Sequence, residues 1–191
     1  MKDTAARNKI LEATINSIEI YGIEGCTMRH IAQEAGVALS SLHYYFESKE
    51  VLVDKALELA MTNMFDDIEN IWKGSGVDHK AALHQILTYL LEGALRFPGI
   101  TRAGLQPLLM QGRTDSLFIV GLNEFLSKAS GEMAKTVRVE AEDLRLKLMQ
   151  AFSTILFLGI APDSFQDFSA QSFREEENRA KLVKSVIDGI F

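Results

Sequence analysis

Apolar side chains recur along this chain at spacings of three and four residues, which is the periodicity of amphipathic helices. In the first segment Ile10, Leu11, Thr14, Ile18 and Tyr21 share one helical face, and Gly22 is expected to end the helix. The three prolines all lie at or beyond residue 98, and no run alternates apolar and polar residues as a half-buried strand would. The pattern predicts an all-α fold.

Two short helices are predicted next, separated by a tight turn. Thr27 is expected to cap a helix over 28–35, because its hydroxyl can accept a hydrogen bond from a free backbone N–H. Gly36 stands where a left-handed residue ends a helix, and a further helix follows at 39–45. This arrangement predicts a helix-turn-helix, whose second helix can enter the major groove of DNA. The spacing alone is weak evidence, since many helical proteins contain such corners.

The remaining chain is predicted to be helical as well. Ser48 is expected to cap a helix over 49–72, which ends at the run from Lys73 to Gly76. Further helices are predicted over 79–97, over 137–160 and over 172–190. One or two more helices are predicted between residues 101 and 134.

The residues of the 39–45 segment favour contact with DNA. Leu42 and Phe46 are four positions apart and can be buried together on one face. The polar groups of His43, Tyr44 and Tyr45 then point elsewhere, where hydroxyl and imidazole groups suit phosphate oxygens and a ring can meet a thymine methyl. Lys49 adds positive charge at the start of the next helix, where free backbone N–H groups favour phosphate.

Overall charge does not indicate a nucleic-acid-binding protein. The net charge is −6, and residues 1–50 carry five basic against seven acidic side chains, a net charge of −2. Few phosphates would be neutralised per chain, so non-specific affinity for DNA should be modest.

The remaining composition points to a soluble protein of a reducing compartment. Cys26 is the single cysteine, so no internal disulfide can form. No apolar stretch reaches the roughly 20 residues that a membrane-spanning helix needs, and no secretory signal is readable, so we predict a cytoplasmic protein without a membrane partner. We find no phosphate loop, nucleophile elbow or paired-histidine motif, and predict no catalytic residue, no metal and no cofactor.

The first 52 residues resemble the N-terminal domain of the tetracycline-repressor (TetR) family. The resemblance rests on Ile10-Leu11, Gly22, Thr27-Met28-Arg29-His30-Ile31-Ala32, Ala35-Gly36-Val37, Leu42-His43-Tyr44-Tyr45-Phe46, Ser48-Lys49-Glu50 and Leu52. It implies DNA contacts by Thr27, Arg29, Leu39, Ser40, Ser41, His43, Tyr44, Tyr45 and Lys49. The chain departs from the family at Ala38, where a capping serine or threonine is common, at Leu39, which is often polar or basic, and at His43, which is usually tyrosine.

The resemblance also implies a division at residue 50 and a function for each part. Residues 1–50 would be the three-helix DNA-binding domain, and 51–191 a helical domain for effector binding and dimerisation. A largely apolar effector pocket is expected to include Trp72, Tyr89, Arg96, Phe97, Arg102, Gln106, Met110, Phe118 and Phe152. The homodimer interface is expected at Leu144, Leu148, Ile155, Val183, Val186, Ile187 and Ile190.

These expectations define a ligand-responsive transcriptional regulator, more specifically a repressor, that binds an inverted-repeat operator in double-stranded DNA. Two alternatives stay open at this point. One is a DNA-organising or partner-binding protein on the same scaffold that has no small effector. The other is an all-α enzyme that uses a cavity in the C-terminal domain, and the absence of a catalytic motif argues against it.

Overall fold

The computed structural model describes residues 2–191, with side chains from residue 4 onwards, and all regular secondary structure in that range is helical. The helices are α1 (Lys2–Gly25), α2 (Met28–Ala35), α3 (Leu39–Tyr45), α4 (Lys49–Gly74), α5 (His79–Arg96), α6 (Pro98–Gln111), α7 (Leu117–Met133), α8 (Ala141–Ile160), α9 (Gln166–Ser169) and α10 (Glu176–Asp188). The all-α prediction is confirmed.

Several helix boundaries differ from those predicted. Gly22 leaves helical geometry, with φ 69° and ψ 171°, but α1 resumes beyond this kink and ends at Gly25. Helix α8 begins at Ala141 rather than near residue 137, and α10 begins at Glu176 rather than near 172. The one-turn helix α9 was not predicted, because four residues are too few to establish a periodicity.

The chain forms two compact units. Unit 1 is the chain as far as Met64 together with Gly99–Phe118, and unit 2 is Phe65–Pro98 together with Ile119–Phe191. Helix α6 therefore belongs to the unit that holds α1, α2 and α3. The predicted division at residue 50 follows the motif rather than compactness, and it stays a prediction.

Unit 1 has a small core at the crossing of its first helices. The fully buried apolar side chains there are Ile10, Ile18, Ile31, Leu42, Leu52 and Ala56. Thr14 is buried among them, and its hydroxyl donates a 2.7 Å hydrogen bond to the Ile10 carbonyl, so its burial leaves no polar group unpaired. Removal of these apolar surfaces from water holds α1, α2 and α3 together.

Unit 2 is built mainly on the packing of α5 against α8 and α10. Aromatic rings extend this core: Trp72 lies edge-on to Phe125 at 5.6 Å between ring centroids, and Phe125 lies 6.0 Å from Phe152. The fully buried apolar side chains include Leu83, Ile86, Leu87 and Leu91 of α5 and Leu144, Leu148, Phe152 and Ile155 of α8.

The residues of the predicted dimer interface are mostly buried within the single chain. Six of its seven residues are at most 2% exposed within the single chain, and Val186 is half-buried. The six are Leu144, Leu148, Ile155, Val183, Ile187 and Ile190. They lie in the core of unit 2. The interface set stays a prediction. Helix α8 carries apolar residues on two faces, and periodicity does not tell which face meets the chain's own helices.

Close packing of α5 on α8 gives a first testable expectation. A Cβ on Gly159 would lie 2.7 Å from the Cβ of Ala94, a rigid atom that no side-chain rotation can move. We expect Gly159→Ala to lower the free energy of unfolding by about 1–3 kcal/mol, as overpacking does. The neighbouring Gly93 has nothing within 4 Å of such a Cβ.

Gly93→Ala is therefore the matched control. It is expected to raise the free energy of unfolding by about 0.5–1 kcal/mol, because alanine restricts the unfolded chain and favours helix. Urea denaturation of both variants provides the measurement. Equal stability of the two variants would contradict the packing described here.

Candidate DNA-binding site

The turn between α2 and α3 is fixed by hydrogen bonds at both ends of α2. The Thr27 hydroxyl accepts a 3.2 Å bond from the His30 N–H, which confirms the predicted cap. Gly36 is left-handed, with φ 61° and ψ 39°. The N–H of Gly36 donates to the Gln33 carbonyl and that of Val37 to the Ala32 carbonyl, which together form a Schellman motif. The chain can therefore reverse within a few residues without unpaired backbone groups.

Helix α3 is anchored by one face only. Leu42 is fully buried, and Phe46, directly after the helix, is nearly so. The Arg7 guanidinium of α1 lies 5.5 Å from the centroid of the Phe46 ring, a cation–π contact that the sequence pattern did not predict. Ala38 provides no side-chain cap, as expected from the departure at that position. The anchoring of α3 thus comes from tertiary packing rather than from its own cap.

The opposite face of α3 is open to solvent. The Tyr44 side chain is 78% exposed and Leu39 is 40% exposed, and Ser40 and His43 are exposed as well. Ser41 and Tyr45 are half-buried, with the Tyr45 ring edge-on to Tyr44 at 5.0 Å. The structure therefore brings the predicted contact residues of α3 onto one helix, with hydroxyl, imidazole, aromatic and aliphatic groups side by side.

Three predicted contact residues lie outside α3. Thr27 and Arg29 are exposed at the start of α2. Lys49 is partly buried, and its ammonium donates a 3.3 Å hydrogen bond to the Glu24 carbonyl near the end of α1. A cation is favourable there, because the last carbonyls of a helix lack partners and carry partial negative charge. The ammonium keeps two further N–H donors, so a phosphate contact by Lys49 would share it with this carbonyl.

The start of α4 is also less available to phosphate than the sequence implied. The Ser48 hydroxyl accepts a 3.3 Å bond from the Val51 N–H, which confirms the predicted cap. The pKa of the Glu50 carboxyl is lowered, first by its own backbone N–H and then by Ser48, so this group is ionised at neutral pH. A fixed negative charge at this helix start opposes the approach of phosphate.

Cys26 lies between α1 and α2 and takes no part in the exposed surface. Its side chain is fully buried, and burial raises the pKa of the thiol. A protonated, inaccessible thiol is a poor nucleophile. These properties favour its interpretation as a small packing residue over that of a redox sensor.

The predicted effector-pocket residues are divided between the units. In unit 2, Trp72 and Phe152 are buried core rings and Tyr89 donates a 2.8 Å bond to Asp67, while burial and that carboxylate raise the pKa of Tyr89. Arg96 and Phe97 are exposed and contact each other. Arg102, Gln106, Met110 and Phe118 belong to unit 1, with only Phe118 buried. The pocket set stays a prediction.

Unit 2 also contains polar contacts that sequence reasoning missed. The Trp72 indole N–H donates a 2.7 Å bond to Glu132, and its ring stacks on His79 at 4.9 Å. The His79 ring in turn lies 3.1 Å from the Thr136 hydroxyl. The Trp72–Glu132 and His79–Thr136 pairs are each separated by about 60 residues in sequence, so no local pattern indicates them.

Residues 2–191 contain neither a cluster of metal ligands nor a membrane-spanning helix. No group of three or more His, Cys, Asp or Glu side chains in this part of the chain could hold a metal ion. Over the same residues, no helix is both long and apolar enough to cross a lipid bilayer.

The anchored, half-exposed α3 after a Schellman turn defines unit 1 as a helix-turn-helix of the DNA-binding class. Residues 10–56 match the family model described as bacterial regulatory proteins, tetR family. This segment is therefore assigned to the TetR family, whose N-terminal domain the family model describes.

Individual relatives match over part of their length. The chain is 31% identical over 106 residues to an uncharacterized HTH-type regulator of the dhlA 5′ region from Xanthobacter autotrophicus, covering 53% of this chain and 51% of that protein. It is 32% identical over 82 residues to the repressor KstR2 of Rhodococcus jostii, covering 43% and 40%. The chain thus spans about half or less of the relatives' lengths.

A solved structure matches the fold along nearly the whole chain. The regulator FadR of Bacillus subtilis, solved with stearoyl-CoA, superposes with a TM-score of 0.63 over 95% of this chain and 96% of that one. Only 16% of the aligned residues are identical, so the likeness establishes a shared fold.

Proposed function

We propose that this chain is a transcriptional regulator, more specifically a repressor, that binds an inverted-repeat DNA operator as a dimer and is released by a small molecule. The single observation that carries the proposal is the exposed face of α3. The buried side chains of Leu42 and Phe46 anchor the helix to the core of unit 1. Tyr44, Ser40 and Leu39 are exposed to solvent on the opposite face. A helix held in this way can enter a major groove without disturbing the fold.

The chemistry of this face suits a mixture of base and backbone contacts. Leu39 offers an aliphatic surface that fits a thymine methyl, and Ser40 can donate to or accept from a base edge. Tyr44, His43 and the Arg29 guanidinium can reach phosphate oxygens, which fix the register of the helix on the duplex.

Binding is expected to depend weakly on salt. Near α3, Arg7 lies on Phe46 and Lys49 on a helix carbonyl. Arg29 and Lys9 are exposed, and the Lys9 ammonium lies close to Gly36 in the turn. If a dimer neutralises roughly two to four phosphates, the slope of log K against log salt is about −2 to −4. Fluorescence anisotropy between 50 and 200 mM salt measures this slope.

Arg29→Ala should make the slope shallower by about 2 for a dimer, because each lost phosphate contact contributes about 0.9. Lys73→Ala, which removes an exposed lysine of unit 2, serves as the matched control and should leave the slope unchanged. A slope steeper than about −8 would contradict this electrostatic account.

A second copy of this chain is the proposed partner of the exposed face of α8. Leu146, Met149 and Phe157 are each about half exposed along that face. The Phe157 ring contacts Phe165 at 5.9 Å, and Phe168 of α9 is 91% exposed. We call these five exposed apolar side chains of α8, α9 and the segment between them the α8–α9 surface.

Its area fits a symmetric dimer. With about 200 Å² for each fully exposed large side chain, the α8–α9 surface offers roughly 600 Å² per protomer. Two copies would bury roughly 1,200 Å², the lower end of the range for stable interfaces. A surface of this size is at the upper limit for soluble monomers, about 300–600 Å².

Selection from random double-stranded DNA tests the DNA-binding part of the proposal. The purified chain is expected to enrich an inverted repeat whose half-sites lie about 34–36 Å apart, as required by a two-fold dimer. Tyr44→Ala is the control and should enrich the same repeat much less strongly than the wild-type chain. Failure of the wild-type chain to enrich any duplex, even at low salt, would overturn the proposal.

The selected duplex then tests for an effector. The family implies a largely apolar ligand, and stearoyl-CoA is the first probe because FadR, of the same fold, was solved with it. A ligand of the native state raises the melting temperature by mass action. An effector should also release the operator, whereas a panel that does neither would favour the regulator without a small effector.

A further inference from the structure

Helix α6 starts directly on the backbone of α1. Its first residue is Pro98, which has no N–H, so the first free donors are those of the next residues. The Glu19 carboxylate of α1 accepts a 3.0 Å hydrogen bond from the Ile100 N–H. An anion is favourable at this position, because the start of a helix carries partial positive charge.

Gly99 allows this close approach. A Cβ at residue 99 would lie 2.8 Å from the Glu19 Cα, 2.8 Å from the Ile18 carbonyl oxygen and 2.9 Å from the Glu19 carboxylate. Two of these atoms are backbone atoms in the middle of α1 and cannot rotate away. At Gly104, further along α6, a Cβ would meet only the flexible end of Met61, at 3.4 Å. The tight contact is therefore confined to the first turn of α6.

The α1 segment that contacts α6 also lies in the core that anchors α3, the helix proposed to bind DNA. Ile18, next to Glu19, is fully buried in the core that holds Leu42 of α3. At the other end of α1, Arg7 contacts Phe46 directly after α3. Helix α1 is thus in contact with both α6 and the residue that follows α3. A shift of α1 therefore changes the position of α3.

We propose that Glu19 and Gly99 are positioning residues for operator recognition, which hold α6 on α1 and thereby set the orientation of α3. The inference rests on the proposed function. Only the Phe97–Pro98 step separates α5 from α6, so the peptide chain passes without a linker from unit 2 into this contact.

Glycine substitutions in α6 test the contact. The probe is the duplex that the wild-type chain selects from random DNA. Gly99→Ala is expected to lower affinity for this duplex about 10- to 100-fold, since displacement of a recognition element by a fraction of an ångström to 1 Å has such effects. Gly104→Ala is the matched control in the same helix, and we expect its affinity to remain within about twofold of wild type.

The Glu19 pair provides a second, independent test. Glu19→Gln retains an acceptor for the Ile100 N–H and should keep most operator affinity, whereas Glu19→Ala should lower it. Affinity for a duplex of unrelated sequence is expected to stay unchanged in all variants, because non-specific binding does not depend on the orientation of α3. A merely structural role would lower melting temperature without separating specific from non-specific binding.

The outcomes distinguish this inference from the function on which it rests. If the wild-type chain selects no duplex, the proposed function fails. If it selects one, and folded Gly99→Ala and Glu19→Ala both bind it like wild type, the positioning role is refuted. Should Gly99→Ala not fold, the comparison of Glu19→Ala with Glu19→Gln decides.

Discussion

Tyr44→Ala is expected to weaken operator binding by about 2–6 kcal/mol per dimer, because each of two copies loses a contact of about 1–3 kcal/mol. The free energy of unfolding should stay unchanged within about 0.5 kcal/mol, since the side chain is 78% exposed and supports no part of the core. Titration of the selected duplex by anisotropy, together with urea denaturation, measures both quantities.

Leu42→Ala, on the buried face of the same helix, is the matched variant that should affect stability. Leu42 is fully buried, and its truncation is expected to lower the free energy of unfolding by about 2–5 kcal/mol. Tyr44→Phe separates the hydroxyl from the ring, because it removes only the group that can reach phosphate. If both Tyr44 variants fold and bind the operator as tightly as wild type, α3 does not read DNA.

Met149→Glu is expected to raise the dissociation constant of the dimer by about 100-fold or more, because two-fold symmetry brings an unpaired charge from each copy into the interface. The folded chain should tolerate the change, as Met149 is 58% exposed in the single protomer. Sedimentation equilibrium over a range of concentrations measures the constant. Operator affinity should fall in parallel, since one protomer reads only one half-site.

Leu148→Ala, one residue away on α8, distinguishes interface from core. Leu148 is 1% exposed, so its loss is expected to cost about 2–5 kcal/mol of stability without weakening dimerisation of the folded chain. The reverse pattern, a dissociated dimer in Leu148→Ala and an intact one in Met149→Glu, would place the interface on the buried face and refute the α8–α9 surface.

The helix-turn-helix could be predicted from sequence because its determinants are local. Thr27 caps a helix through an N–H three residues away, and Gly36 ends it by a left-handed conformation that glycine adopts without strain. Ser48 caps α4 in the same way. Leu42 and Phe46, four residues apart, turn the polar side chains of α3 outward.

Contacts between distant segments could not be predicted in this way. The ammonium of Lys49 was expected at phosphate and lies on the Glu24 carbonyl, because that helix end lies within reach only in the folded chain. Helix α6 was expected in the effector domain by its place in the sequence, and by compactness it joins unit 1. The approach of Gly99 to Glu19 joins residues about 80 positions apart, and a glycine in sequence does not reveal which backbone it meets.

The sequence by itself determined most of the helices, the Thr27 and Ser48 caps and the tight turn at Gly36, because hydrogen bonds and side-chain periodicity within a few residues decide them. Tertiary structure alone decided which of the two apolar faces of α8 is buried, that α6 joins unit 1, and that Arg7 and Lys49 contact Phe46 and the Glu24 carbonyl. These depend on which surfaces meet when the chain collapses, and the burial of an apolar stripe has the same free energy against any partner that fits it.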